Sequence, residues 1–288
     1  MSNSQHPVAL ELERRVGGSI RLLATVMALP LVGGIFPALI LAGALDSTGG
    51  ILQVGLLVFG GSATVAVVLA EMGEDSRSQL PAIAGFGGVL VAVAAVEAAL
   101  APTIGGLLNL AVFERFAALV LLAVAAATAS ARIGDLLPRP AIIVALGLVA
   151  SVDLGGAVPT VAVDADLVAR GAAAAGVGVA FAFLLALFAP ALRGLVDVDR
   201  FRFGSAVALG TLAVSLFGIV PGNAALAVLG VTALLSFDPG SGSVDDAPVS
   251  EAASRADGGD AVDDADGGEN DGTSDEQGIG PAERDPWM

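Results

Sequence analysis

Long apolar runs separated by short polar segments fill residues 22–237, and a bilayer core of ~30 Å takes about 20 helical residues. On that measure the chain predicts eight spans: Leu22 to Leu45, Gly50 to Glu71, Leu80 to Thr103, Phe113 to Ala131, Ala141 to Val163, Leu167 to Leu192, Phe203 to Val220 and Ala224 to Phe237. The last two are short and are divided by Pro221-Gly222-Asn223, a tight-turn signal, so one re-entrant hairpin competes with two full spans there. The expected fold class is all-α, a polytopic transmembrane helical bundle over residues 19–237. Residues 1–18 are expected to be a cytoplasmic segment with a short surface helix that opens at Pro7 and carries Val8, Leu12 and Val16 on one face. The apolar run after Arg21 is too long for a signal peptide, and no cleavage is expected. Residues 238–288, rich in Asp, Gly, Ser and Ala without an apolar period, are expected to be a disordered acidic tail.

Composition sharpens this picture. With 55% hydrophobic residues and a mean hydropathy of +0.84 over 288 residues, the chain is more apolar than a soluble domain of its length. The net charge of −16 belongs mostly to the tail, where 15 acidic residues face two Arg, leaving −3 for residues 1–237. Arg counting orients the bundle. With the N-terminus in the cytoplasm, Arg14, Arg15, Arg21, Arg77, Arg132, Arg139, Arg193, Arg200 and Arg202 lie inside and only Arg115 and Arg170 outside, and an even span count returns the C-terminus to the cytoplasm. The expected location is the cell membrane.

Several chemistries are removed by what is missing. The chain has no Cys, so it offers neither a disulfide nor a thiolate nucleophile, and no Lys, so it can form no Schiff base with a retinal. The single His, His6, lies outside the predicted spans, which leaves no HExxH zinc site, His-ligated haem or Ser-His dyad within the bilayer. The GxGD pattern of intramembrane aspartyl proteases is absent, and no motif supports an enzyme using carboxylates and bound metal. The chain is therefore read as no enzyme, with no cofactor and no metal site; nor does any basic patch mark a nucleic-acid partner. Acidic excess with Arg used to the exclusion of Lys resembles the proteomes of extreme halophilic archaea.

Four segments carry a family resemblance: VALELERRVGGS near the N-terminus, GGIFPALILAGALD in the first span, FERFAALVLLAVAAATASARIGD around the fourth and VDVDRFRFGSAVALG entering the seventh. Over residues 8 to 239 the chain resembles an uncharacterised family of haloarchaeal integral membrane proteins, a domain of unknown function. The resemblance implies a membrane protein of that kind and brings no activity with it.

Candidate chemistry concentrates in two places. Gly-Gly-x-x-Pro occurs at Gly33, Gly34 and Pro37 and again at Gly155, Gly156 and Pro159, 122 residues on; Phe86-Gly87-Gly88 and Phe203-Gly204-Ser205 lie 117 apart. These offsets point to a four-plus-four repeat of parallel halves, although Gly and Ala are abundant enough to match by chance. Mid-span Gly and Pro either permit close packing and a kink, or form a discontinuous helix whose freed backbone groups face an ion or solute. Asp153 and Glu97 are the two carboxylates well inside predicted spans, where a lone charge costs several kcal/mol unless it is protonated, paired or wet. Asp153 either binds a proton or cation or caps the amides of Gly155 or Gly156; Glu97 lies within snorkelling reach of the outer interface. The expected function is a small-solute or ion transporter, proton- or cation-coupled, with the lipid bilayer and a small solute as partners. The alternative is a membrane scaffold or sensor whose tail recruits cytoplasmic proteins.

Overall fold

The structure, a computed structural model, describes residues 18–72, 74–153 and 163–238. All named elements among them are helical. In chain order they are α1 (Gly18–Val32), α2 (Ile35–Leu41), α3 (Thr48–Gln53, prolonged by a π-helical stretch Val54–Phe59), α4 (Ser62–Ala66, prolonged by a π-helical stretch Val67–Glu71), a 3-10 turn (Glu74–Gln79), α5 (Leu80–Gly105), α6 (Leu110–Ala129), α7 (Ala131–Leu136), α8 (Pro140–Ser151), α9 (Ala165–Leu192), α10 (Val198–Leu216) and α11 (Ala224–Leu235). The surface helix expected before residue 18, the Gly155, Gly156 and Pro159 signature and the acidic tail lie outside the described residues.

Among the described residues, three helices are long and apolar enough to cross a membrane: α5 with its preceding turn from Ser76, α6 and α9. There are five spans of that quality if each of two bent pairs counts as one, α1 with α2 at 42° and α3 with α4 at 50°. The eight expected from hydropathy are not all of this build. α8 and α11 have 12 residues each, about 18 Å of helix. α10 has 19 residues but carries Asp199, Arg200 and Arg202 in its opening turns.

Local chemistry explains where the helices begin. Asp164 accepts hydrogen bonds from the amides of Asp166 and Leu167 at the start of α9, Asp197 does the same for Asp199 and Arg200 at α10, Asn109 caps Val112 at α6, and Ser47 caps Gly50 at α3. Each satisfies amides that the first helical turn leaves without partners.

Small residues explain how the helices meet. α5 and α9 form the closest pair, with Ala94, Ala98 and Ala101 on one and Gly171, Ala174, Ala175, Gly178, Ala182, Ala186 and Ala189 on the other, all buried. A Cβ at Gly171 would lie 2.7 Å from the Ala98 Cβ, and one at Gly55 in α3 would lie 2.7 Å from the Ala174 carbonyl oxygen, so these backbones touch. Large side chains such as Val89, Val96, Leu100, Leu184 and Phe188 point outward instead. Small inside and large outside is the arrangement of helices that associate by close packing where lipid tails are as apolar as Leu.

Two backbone pairings fix the shorter helices. Asn109 N donates to Ser151 O at 2.6 Å and Asp153 N to Leu107 O at 3.0 Å, which pins the end of α8 to the α5–α6 connection. Asp197 N donates to Ser236 O and Asp238 N to Leu195 O, both at 2.8 Å, which pins the end of α11 to the α9–α10 connection. Each short helix therefore ends beside the start of its long neighbour, α6 or α10. Two arginines fasten the segments around that end of α9: Arg193 Nε donates to Leu69 O in the π-helical stretch after α4, and Arg77 Nε in the 3-10 turn donates to Leu187 O of α9.

The matched positions of the expected repeat are built differently. The second span is broken, whereas its counterpart in a four-plus-four scheme, α9, runs for 28 residues without interruption. Gly87 packs against Val179 of α9, while Gly204 packs against Thr232 of α11.

Candidate functional site

The first Gly-Gly-x-x-Pro signature is a true helix break. α1 ends at Val32; Gly34 takes a left-handed conformation, φ 74° and ψ 7°, that an L side chain adopts only under strain; and α2 restarts at Ile35. Pro37 sits in the first turn of α2, where a missing N–H leaves no bond unmade. The break is packed against α8, since a Cβ at Gly34 would lie 3.2 Å from Val144 Cγ1.

A second break lies in the neighbouring span, at Gly60 and Gly61 between α3 and α4. It falls near the middle of that span, directly after one π-helical stretch and one short α-helix before another; such stretches recur at functional sites because they leave backbone groups out of the regular ladder. Thr64 Oγ1 donates to Phe59 O at 2.9 Å across the bend and satisfies one such carbonyl. The two broken spans meet through Phe36 and Phe59, fully buried, with ring centroids 5.1 Å apart and planes at 63°. Edge-to-face pairs of this kind contribute about 0.5–1.5 kcal/mol beyond area burial. Gly171 and Gly178 of α9 provide the flat wall on which both rings sit.

Two oxygens in this part of the bundle are buried without a hydrogen-bond partner among the described residues, Gln53 Oε1 and Glu97 Oε2. Gln53 is fully buried in α3, and its Nε2 donates to Gly222 O in the turn before α11. Glu97 is half-buried on α5.

Asp153 lies elsewhere. α8 stops at Ser151, because Ser151 and the residues after it pair with the 107–109 connection rather than continuing the helix, and Asp153 is exposed at that end of the bundle. Hydropathy extends the fifth span to Val163 and puts Asp153 near its middle; the structure puts it past the helix end. Asp153 therefore does not join Gly33, Gly34, Pro37 and Glu97. Sequence reading missed the Gly60-Gly61 break, although Phe59-Gly60-Gly61-Ser62 in mid-span was the available signal. No group of three or more His, Cys, Asp or Glu residues placed to hold a metal occurs among the described residues.

Residues 90–217 match the model of a family of unknown function (DUF5794). The match takes in Glu97 and Asp153 and leaves out the Gly33 to Pro37 break. It supports the expected likeness to an uncharacterised family and carries no activity. No curated protein and no solved structure matches the chain.

Proposed function

We propose that the chain is a multi-pass protein of the cell membrane, with eight crossings and both ends cytoplasmic, that works as a carrier of a small solute or ion and not as an enzyme. The observation that carries this reading is the pair of adjacent broken spans, α1–α2 and α3–α4, joined at Phe36 and Phe59. A helix broken within a membrane exposes backbone groups that lipid cannot satisfy, so it persists where protein or a watered path surrounds it. Two breaks side by side against one straight helix also give two segments that can tilt about glycine hinges while α9 stays fixed. A scaffold needs neither feature. The tail that would recruit partners under the scaffold reading lies outside the described residues.

The eight-crossing topology is supported by the way α8 and α11 end beside the starts of α6 and α10. It predicts the sidedness of single cysteines in a chain that has none of its own. Asp46→Cys and Asp166→Cys are expected to react with a membrane-impermeant maleimide on intact cells, and Asp135→Cys and Asp199→Cys only after the membrane is opened. All four positions are exposed. Asp199→Cys labelling on intact cells would sink the topology.

For transport itself, the full chain is reconstituted in liposomes loaded with a pH-reporting dye, and amino acids, carboxylates and sugars are added in turn under an imposed pH gradient. A protein-dependent collapse of the gradient on adding one class is the expected result. No response to any class above that of empty liposomes, from protein whose helical circular dichroism is intact, removes the proton-coupled carrier reading.

A further inference from the structure

We propose that Glu97 is the group that takes up and releases a proton within the membrane-spanning part of the bundle. The carrier reading supplies the use of this proton, but the site stands on separate observations.

The first is its place on the helix. The packed stripe of α5 runs through Ile83, Gly87, Leu90, Ala94, Ala98 and Ala101. Glu97 is three residues after Ala94 and four before Ala101, and equally four after Val93 and three before Leu100, so it sits half-buried at the boundary between that stripe and the outward face of Val89, Val93, Val96 and Leu100. Its Oε2 is buried and makes no hydrogen bond among the described residues.

The second is its level. Ser19 at the start of α1 donates to Glu71 O, just before the turn into α5, and Leu41 at the end of α2 meets Gly105 at the end of α5, 3.3 Å from a Cβ built there. The broken span and α5 therefore run side by side in the same direction. Gly33 and Glu97 each lie eight residues before that Leu41–Gly105 contact, which puts the carboxylate at the level of the helix break.

The third is what surrounds it. The elements packed on α5 are α1, α2, α9 and the 3-10 turn. α2 carries no charged residue, and Arg21 of α1 and Arg77 of the turn lie toward the opposite end. On α9, Arg170 pairs with Asp46 at 3.4 Å and with Asp166, so these three charges form a group of their own. Arg193, past the far end of α9, donates to Leu69 O. A hard cation such as calcium or magnesium needs several oxygen ligands, and no group of three or more acidic residues placed to hold one occurs among the described residues; a proton needs one. The exchange is the carboxylic acid giving its proton to water and the carboxylate recovering one, with no other reactant.

The test reads the carboxyl directly. Infrared difference spectra of the full chain in lipid, recorded through a pH titration, are expected to show the C=O stretch of a protonated side-chain carboxyl that shifts in heavy water. Glu97→Gln should abolish that band and Glu97→Asp should move its frequency and midpoint. Asp153→Asn should leave it unchanged. Persistence of the band in Glu97→Gln, or its loss in Asp153→Asn, overturns the proposal. If Glu97→Gln does not fold, Glu97→Asp decides alone, and an unmoved band overturns the proposal. The carrier reading fails separately: a band that titrates and vanishes in Glu97→Gln, in a protein that moves no solute, leaves the proton site standing without the transport.

Discussion

Gly178→Leu is expected to destabilise the bundle by about 3 kcal/mol or more, whereas Gly176→Leu, two residues away on α9, should cost no more than about 0.5 kcal/mol. A Cβ at Gly178 would overlap the Phe59 Cβ and lie 3.0 Å from Gly55 O, so the added atoms meet side-chain stem and backbone that cannot swing aside. A Cβ at Gly176 meets nothing within 4 Å. Both glycines sit in the same helix and both substitutions raise helix propensity by the same amount, so the difference isolates the α9–α3 contact. Thermal unfolding in detergent, followed by circular dichroism, measures it. Equal losses at the two positions would mean that α3 does not rest on α9 as described, and the Phe36–Phe59 junction would lose its support.

Gly34→Val is expected to cost about 3 kcal/mol and to abolish any flux that the parent carries. A β-branched residue at φ 74° pays roughly 1–2 kcal/mol for the left-handed conformation, and its Cβ would crowd Val144 Cγ1 at 3.2 Å. The two contributions can be separated. Gly34→Asn introduces the same Cβ in a residue that tolerates the left-handed region, so it should keep the break and lose less than half as much stability as Val. Combining Gly34→Val with Val144→Ala should recover the steric part and leave the conformational part. If Gly34→Val is as stable as the parent, the chain does not need the left-handed turn, and the broken first span is not a fixed feature of the fold.

These contrasts show how far local sequence reaches. Hydropathy alone placed α5, α6 and α9, because 20 or more consecutive apolar residues leave the backbone no solvent and force it to bond within its own helix. The Gly-Gly-x-x-Pro pattern at Gly33, Gly34 and Pro37 left a kink and a discontinuous helix as its two readings, and the structure has the second, a stop and restart whose reasons lie in φ and in a missing N–H. The caps at Asp164, Asp197, Asn109 and Ser47 are local in the same way.

What the sequence left open depends on partners distant in the chain. The place of Asp153 is set by hydrogen bonds from Asp153 N to Leu107 O and from Asn109 N to Ser151 O; Gly155, Gly156 and Pro159 offered a helix break in the sequence, but not the pairing with the 107–109 connection that ends α8 at Ser151. The break at Gly60 and Gly61 has Phe181 of α9 against Gly60, and Val177 and Gly178 of α9 against Gly55 and Phe59 just before it, all more than 100 residues away. Glu97 reads as a carboxylate near an interface in sequence; only the packing of α1, α2 and α9 around α5 leaves its Oε2 buried without a partner, at the level of the first break. Hydrophobic content and backbone preference act within a turn or two and are written in order along the chain, whereas the depth and pairing of a polar group are fixed by helices that meet only after folding.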